Sequence, residues 1–126
     1  EEEPFANQWK CIQETLKDPK YREGNIWLMG DFNSQADVRG EGYDLVLKSG
    51  WKDTYLLAEE KDDGITVAEE IDGWREADGR SKAAKHEKRL DYIFCNTQAD
   101  VRTSNVICNG KNAPVVSDHY GVVITV

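Results

Sequence analysis

A mixed α/β fold, with helices packed on a sheet, is the architecture this sequence predicts. Three observations carry it. Phe5, Trp9, Ile12 and Leu16 recur at helical spacing; Ile26 to Met29 is a short, unbroken apolar run; and three C-terminal segments combine β-branched and aromatic residues with turn chemistry between them. A length of 126 residues and a hydrophobic content of 39% suit one domain with a modest core.

The first stripe predicts a helix with Glu1-Glu2-Glu3 near its dipole-positive end, stopped at Asp18-Pro19. Ile26 to Met29 reads as a strand covered on both faces. Tyr43, Leu45, Val46 and Leu47 predict a second, short helix closed by Ser49-Gly50, after which Trp51 to Leu57 packs back. Residues 59–88 are strongly charged and carry three glycines, which predicts exposed loop around one short element at Ile65 to Val67. Within it, Lys82, Lys85, His86, Lys88 and Arg89 read as a solvated basic face, with a phosphate-recruiting patch as the alternative. Trp74 reads as an anchor for the loop, with stacking on a substrate as the alternative. Leu90 to Phe94, Val101 to Cys108 and Tyr120 to Val126 predict three further strands.

Sixteen basic against 24 acidic residues give a net charge of -8, which repels polyanions at long range and weighs against a dedicated nucleic-acid binder. No apolar run approaches the ~20 residues of a membrane span. A soluble, cytoplasmic protein is the expectation. Glu1-Glu2-Glu3-Pro4 has neither a basic nor an apolar leader character and reads as interior to a longer protein. Cys11, Cys95 and Cys108 are widely spaced and show no C-x-x-C pair, so reduced, buried thiols are expected in place of a disulfide framework or a zinc site.

Polar residues gather where strands begin and end. Asp31 and Asn33 follow the first strand; Arg89 and Asp91 open another in "RLDYIF"; Ser117, Asp118 and His119 open the last in "SDHYGV". Strand ends hold ligands because loops converge there while the strands keep them still. Carboxylates brought together repel unless a cation or a shared proton lies among them. Oxygen-rich, cysteine-free ligation with one histidine favours a hard ion, Mg2+ or Mn2+, over zinc.

"GDFN" at 30–33, "RLDYIF" at 89–94 and "SDHYGV" at 117–122, in this order, resemble the three C-terminal motifs of the endonuclease/exonuclease/phosphatase superfamily. The resemblance implies that residues 1–126 form a single partial domain, the C-terminal half of a four-layer α/β sandwich. It implies a divalent-metal-dependent phosphoesterase in which activated water attacks phosphorus in line. By the same resemblance, Asp31 orients or deprotonates the water, with His119 as the alternative base, and Asn33 holds the scissile phosphate. Asp118 is a metal-side carboxylate; His119 binds a phosphate oxygen; Asp91 fixes the His119 tautomer. Arg89 is expected to brace Asp91 or the loop.

Family members are longer, and their first half supplies an asparagine and a glutamate, the latter a principal metal ligand in a Gln-Glu motif. Gln13-Glu14 lies only 17 residues before Asp31, too close for that layout, and reads as a solvated helix face. The missing N-terminal half is therefore an expected partner, and the 126 residues alone are expected to be inactive. A small phosphorylated metabolite or lipid headgroup is the expected substrate. A DNA endo- or exonuclease is the alternative, and a non-catalytic binding or assembly remnant is the rival from another class.

Overall fold

A computed structural model describes residues 2–68 and 87–126; the readings of Trp74, Lys82, Lys85 and His86 lie outside the described residues. The apolar stripe forms α1 (Glu2–Thr15), which ends before a 3-10 turn, Pro19–Tyr21, capped by the Asp18 carboxylate accepting from the Lys20 N–H at 3.0 Å. Strand β1 (Trp27–Asp31) leads through a loop into α2 (Gly42–Lys48). Then come β2 (Lys52–Asp53), the single-turn helix α3 (Thr54–Leu57) and the short β3 (Glu60–Lys61). The C-terminal strands are β4 (Asp91–Cys95), β5 (Thr103–Ile107) and β6 (Gly121–Thr125). The Ile65 to Val67 element is an isolated bridge between Val67 and Lys88.

Two three-stranded sheets result, ordered β1-β4-β2 and β3-β5-β6, with β4 and β6 in contact. β1 runs antiparallel to β4, setting Leu28 opposite Phe94, Met29 opposite Ile93, and Asp31 opposite Asp91. Since successive side chains alternate faces, this register divides the sheet cleanly. Tyr92 and Phe94 point inward, where α1 and α2 close over them with Trp9, Tyr43, Val46 and Trp51. Some rings meet edge to face, as quadrupoles prefer: Phe32 lies 5.1 Å from Phe94 at 87°, and Trp9 5.8 Å from Trp51 at 72°, while Tyr92 and Phe94 stack at 22°.

The other face is open. Met29 is 61% exposed and Val126 64%, so the expectation of a first strand covered on both faces is not met by this chain. The run Ile26 to Met29 is continuously apolar, yet on its outer side Trp27 is half-buried and Met29 exposed. Cys95 is buried as expected, whereas Cys11 is exposed and Cys108 partly so; none is in a disulfide.

A buried ion pair braces the inner side. Arg89 bonds Asp53 at 2.6 Å through Nη2, and its guanidinium lies over the rings of Tyr55 and Tyr92 at 4.5 and 4.6 Å. Tyr43 donates its hydroxyl to the same Asp53 carboxylate at 2.8 Å. Burial, with Asp53 beside it, pushes the Tyr43 phenol well above its ordinary range. Arg89 therefore braces Asp53 and not Asp91, a correction to the sequence reading; the partners lie 36 positions apart and meet only once β2 pairs with β4. Gly64 makes the approach possible. It has φ +72°, and a Cβ there would fall 2.9 Å from both Arg89 Cδ and Tyr55 Cε2.

Candidate active site

At the last rung of the β1–β4 ladder, two carboxylates face each other. Asp31 and Asp91 are direct cross-strand partners, and by alternation they share the open face with Met29 and Ile93. Like charges so placed destabilise a sheet unless something lies between them. His119 does. Its Nδ1 is 2.8 Å from Asp91 Oδ2 and its Nε2 is 3.8 Å from Asp31 Oδ2. The Asp91 hydrogen bond raises the His119 pKa, against the opposing effect of partial burial, and the negative fields of Asp91, Asp31 and Asp118 add to the rise. An Nδ1–H donated to Asp91 fixes the tautomer and leaves Nε2 toward Asp31.

Each of these side chains is held locally. After β1, the chain turns at Asn33, whose φ of +45° is one of two positive values among the described non-glycine residues. The Asp31 Oδ1 accepts the Asn33 N–H at 2.8 Å, an Asx turn that short polar side chains tolerate. That turn leaves the Asn33 carboxamide exposed and without a partner among the described residues. The loop beyond is pinned from below: the Tyr43 N–H donates to the buried Ser34 hydroxyl at 3.0 Å, and the Tyr92 hydroxyl donates to the Ser34 carbonyl at 2.5 Å. Asp44 accepts from the Gly40 N–H at 3.0 Å and pairs with Lys48 at 3.0 Å. On the far side, the Tyr120 N–H donates to the Thr66 carbonyl at 2.7 Å, which fixes the end of the His119 loop.

Asp31, Asp91 and His119 offer ligand atoms all within 4.8 Å of one another. Asn33 joins them through its turn. Asp118 stays at the exposed edge, where the Ser117 hydroxyl donates to its carboxylate at 3.2 Å, and it is not one of that trio. A donor set of carboxylate oxygens and one imidazole, with no thiolate, fits a hard divalent ion, while three side chains leave much of an octahedron to other ligands. Gln13 and Glu14 take no part: Gln13 donates to Ser49 Oγ at 3.3 Å and Glu14 pairs with Lys17 on the solvent side.

Sequence reasoning did not single out Gln8 and Glu41. Together with Phe5, Asp31, Phe32 and Asn33 they line a cleft of about 310 Å³. Glu41 precedes α2 without capping it, and that misfit is the one sequence-level hint, since aspartate or serine serves an N-cap better.

A mixed α/β chain whose strand ends present two opposed carboxylates, a histidine and an asparagine defines the class of protein. Among solved structures the chain is similar to an endonuclease/exonuclease/phosphatase family protein from Leptotrichia buccalis, at 42% identity and a TM-score of 0.71 over 90% of this chain. A protein of the same family from Bacteroides thetaiotaomicron shares the fold at 18% identity, TM-score 0.65, over 98% of this chain. A conserved protein of unknown function from Enterococcus faecalis shares it at 19% identity, TM-score 0.58, over 93%. The chain belongs to the endonuclease/exonuclease/phosphatase family and is part of its α/β sandwich. It spans 40%, 44% and 42% of the length of these three chains, respectively. No family model and no curated protein matches it. No helix among the described residues is long and apolar enough to cross a membrane.

Proposed function

We propose that this chain is the C-terminal part of a divalent-metal-dependent phosphoesterase that hydrolyses a small phosphorylated metabolite or lipid headgroup. The observation that supports the reading best is the Asp31–Asp91 cross-strand pair bridged by His119: an arrangement unfavourable for a sheet and suited to handling a proton and an oxyanion. Asp31 keeps Oδ1 in its turn and turns Oδ2 toward the reacting centre, where it orients and deprotonates water. The unpartnered Asn33 carboxamide positions the phosphoryl group for in-line attack. His119, protonated more readily because Asp91 bonds its Nδ1, donates from Nε2 to a phosphoryl oxygen. Asp91 acts through His119, fixing its tautomer and ring plane.

A divalent cation, magnesium or manganese, held from this chain by Asp118 and the carboxylate edge of the trio, would neutralise charge developing on the phosphoryl oxygens. The remaining ligands come from the rest of a longer polypeptide, which docks on the open sheet face. Met29, Ile93, Ile124 and Val126 line a shallow apolar cleft there that fits such a cover. A net charge of -8 favours a small ester over duplex DNA.

The test is hydrolysis by the complete polypeptide carrying this chain, across sugar phosphates, headgroup phosphodiesters and plasmid, with magnesium and with chelator. Metal-dependent turnover of small esters, faster than plasmid at equal phosphate, is expected. Plasmid nicking without turnover of small esters would make the protein a nuclease, and no hydrolysis of any arm would make it a binding module.

A further inference from the structure

We propose that the cleft between α1 and α2 is the subsite for the organic part of the substrate, and that it takes an uncharged, polyhydroxylated group of monosaccharide or cyclitol size. The proposal rests on the phosphoesterase reading for what adjoins the cleft, and on the cleft's own walls for what fills it. Its volume, about 310 Å³, lies at the small end of ligand pockets, and it opens directly beside Asp31 and Asn33. A group bound there is continuous with a phosphate held at Asn33.

The lining chooses the chemistry. Gln8, Asn33 and Glu41 bring two carboxamides and a carboxylate that have no hydrogen-bond or ion-pair partner among the described residues. Carboxamides both donate and accept, and a carboxylate accepts twice, which matches neighbouring hydroxyls. Among the described residues, no lysine or arginine lines the cleft. A second phosphate or a carboxylate would lie against Asp31 and Glu41 with no compensating cation. Phe5 packs on Gly42, where a Cβ would stand 3.0 Å from its ring, and Phe32 packs among Phe5, Tyr92 and Phe94. Phe5 and Phe32 add apolar surface to the lining, suited to the C–H faces of a sugar ring. The rigid loop beneath, tied at Ser34 and Asp44, fixes Glu41 and Asn33 before binding.

In the complete polypeptide, the kcat/KM for a hexose phosphate is compared with that for a plain aryl phosphate. Glu41→Gln is expected to lower the hexose-to-aryl ratio about tenfold, the loss of one charge-assisted hydrogen bond. Glu41→Lys is expected to shift preference toward a substrate carrying a second phosphate. Independently of turnover, the side-chain amide resonances of Gln8 and Asn33 are followed while myo-inositol, which has no phosphate, is added. Shifts in the wild type that weaken in Glu41→Gln support the cleft, even if no phosphoester is cleaved and the phosphoesterase reading fails. An unchanged hexose-to-aryl ratio in both variants, or no shift of either amide in an active enzyme, overturns the subsite.

Discussion

The two faces of the β1–β4 sheet handle charge in opposite ways. On the inner face, Asp53 is fully enclosed and fully satisfied, by the Arg89 guanidinium and the Tyr43 hydroxyl, beneath a layer of aromatic rings. On the outer face, Asp31 and Asp91 oppose each other across the ladder, share one imidazole, and border an apolar surface that this chain leaves open. No buried side-chain nitrogen or oxygen among the described residues lacks a partner. The contrast separates charges bound into the fold from charges left at an open rim. A carboxylate with every lone pair engaged stabilises; one with an oxygen turned to an open cleft can act.

The largest effect should come from breaking the satisfied side. Asp53→Ala leaves Arg89 and the Tyr43 hydroxyl without their acceptor, and removing one partner of a buried pair costs about 3–5 kcal/mol, read as a lower urea midpoint of the complete polypeptide. A loss below 1 kcal/mol would place Asp53 with the exposed carboxylates.

On the rim, His119→Ala should lower turnover roughly 100-fold, about 2.7 kcal/mol of transition-state stabilisation, with little change in stability. Asp91→Asn should lose less, since it disturbs the orientation of the ring and leaves the ring in place. Asp91→Asn proving the more damaging of the two would mean that Asp91 acts directly.

The open face differs from both in having no partner within this chain's described residues. If the rest of the polypeptide covers it, Met29→Gln should destabilise the complete protein by about 1.5–3 kcal/mol, the worth of burying such a side chain. An effect within about 0.5 kcal/mol would show that the face stays wet. Tyr92→Phe should cost the least, about 1 kcal/mol in the same urea titration, for the hydroxyl shared between the Ser34 and Arg89 carbonyls. A neutral result there would mean the loop behind Asn33 is held by Ser34 and Asp44 alone.

Much of this division was legible in the sequence, for a physical reason. Asp31, Asp91 and His119 stand at the ends of apolar runs, where a polar residue conflicts with the strand pattern and asks for a function, and the structure brings the three together. The strand cores 91–95, 103–107 and 121–125 emerge within the predicted segments, to a residue or two, because their β-branched and aromatic content is local information. What failed was not local. The Asp53–Arg89 pair depends on β2 joining β4, and nothing in "WKDTYLL" announces it. Strand β3, two residues long, carries no periodicity at all. The cover over β1 is not supplied by this chain's described residues, and an unbroken apolar run reports that both faces avoid water without saying which part of a longer polypeptide provides the cover. Gln8 drew no notice because an exposed polar residue on a helix is the ordinary case, and Glu41 because a charged residue before a helix is equally common; only the cleft they share distinguishes them.

In the proposed chemistry the outer-face carboxylates act in phosphoester hydrolysis. The most direct measurement is the turnover of Asp31→Asn in the complete polypeptide, on its best ester with saturating magnesium, beside its unfolding free energy. The predicted result is a fall of at least about 100-fold, the share of a lost general base, with stability changed by less than about 0.5 kcal/mol. Turnover equal to the wild type in a fully folded Asp31→Asn protein would contradict it.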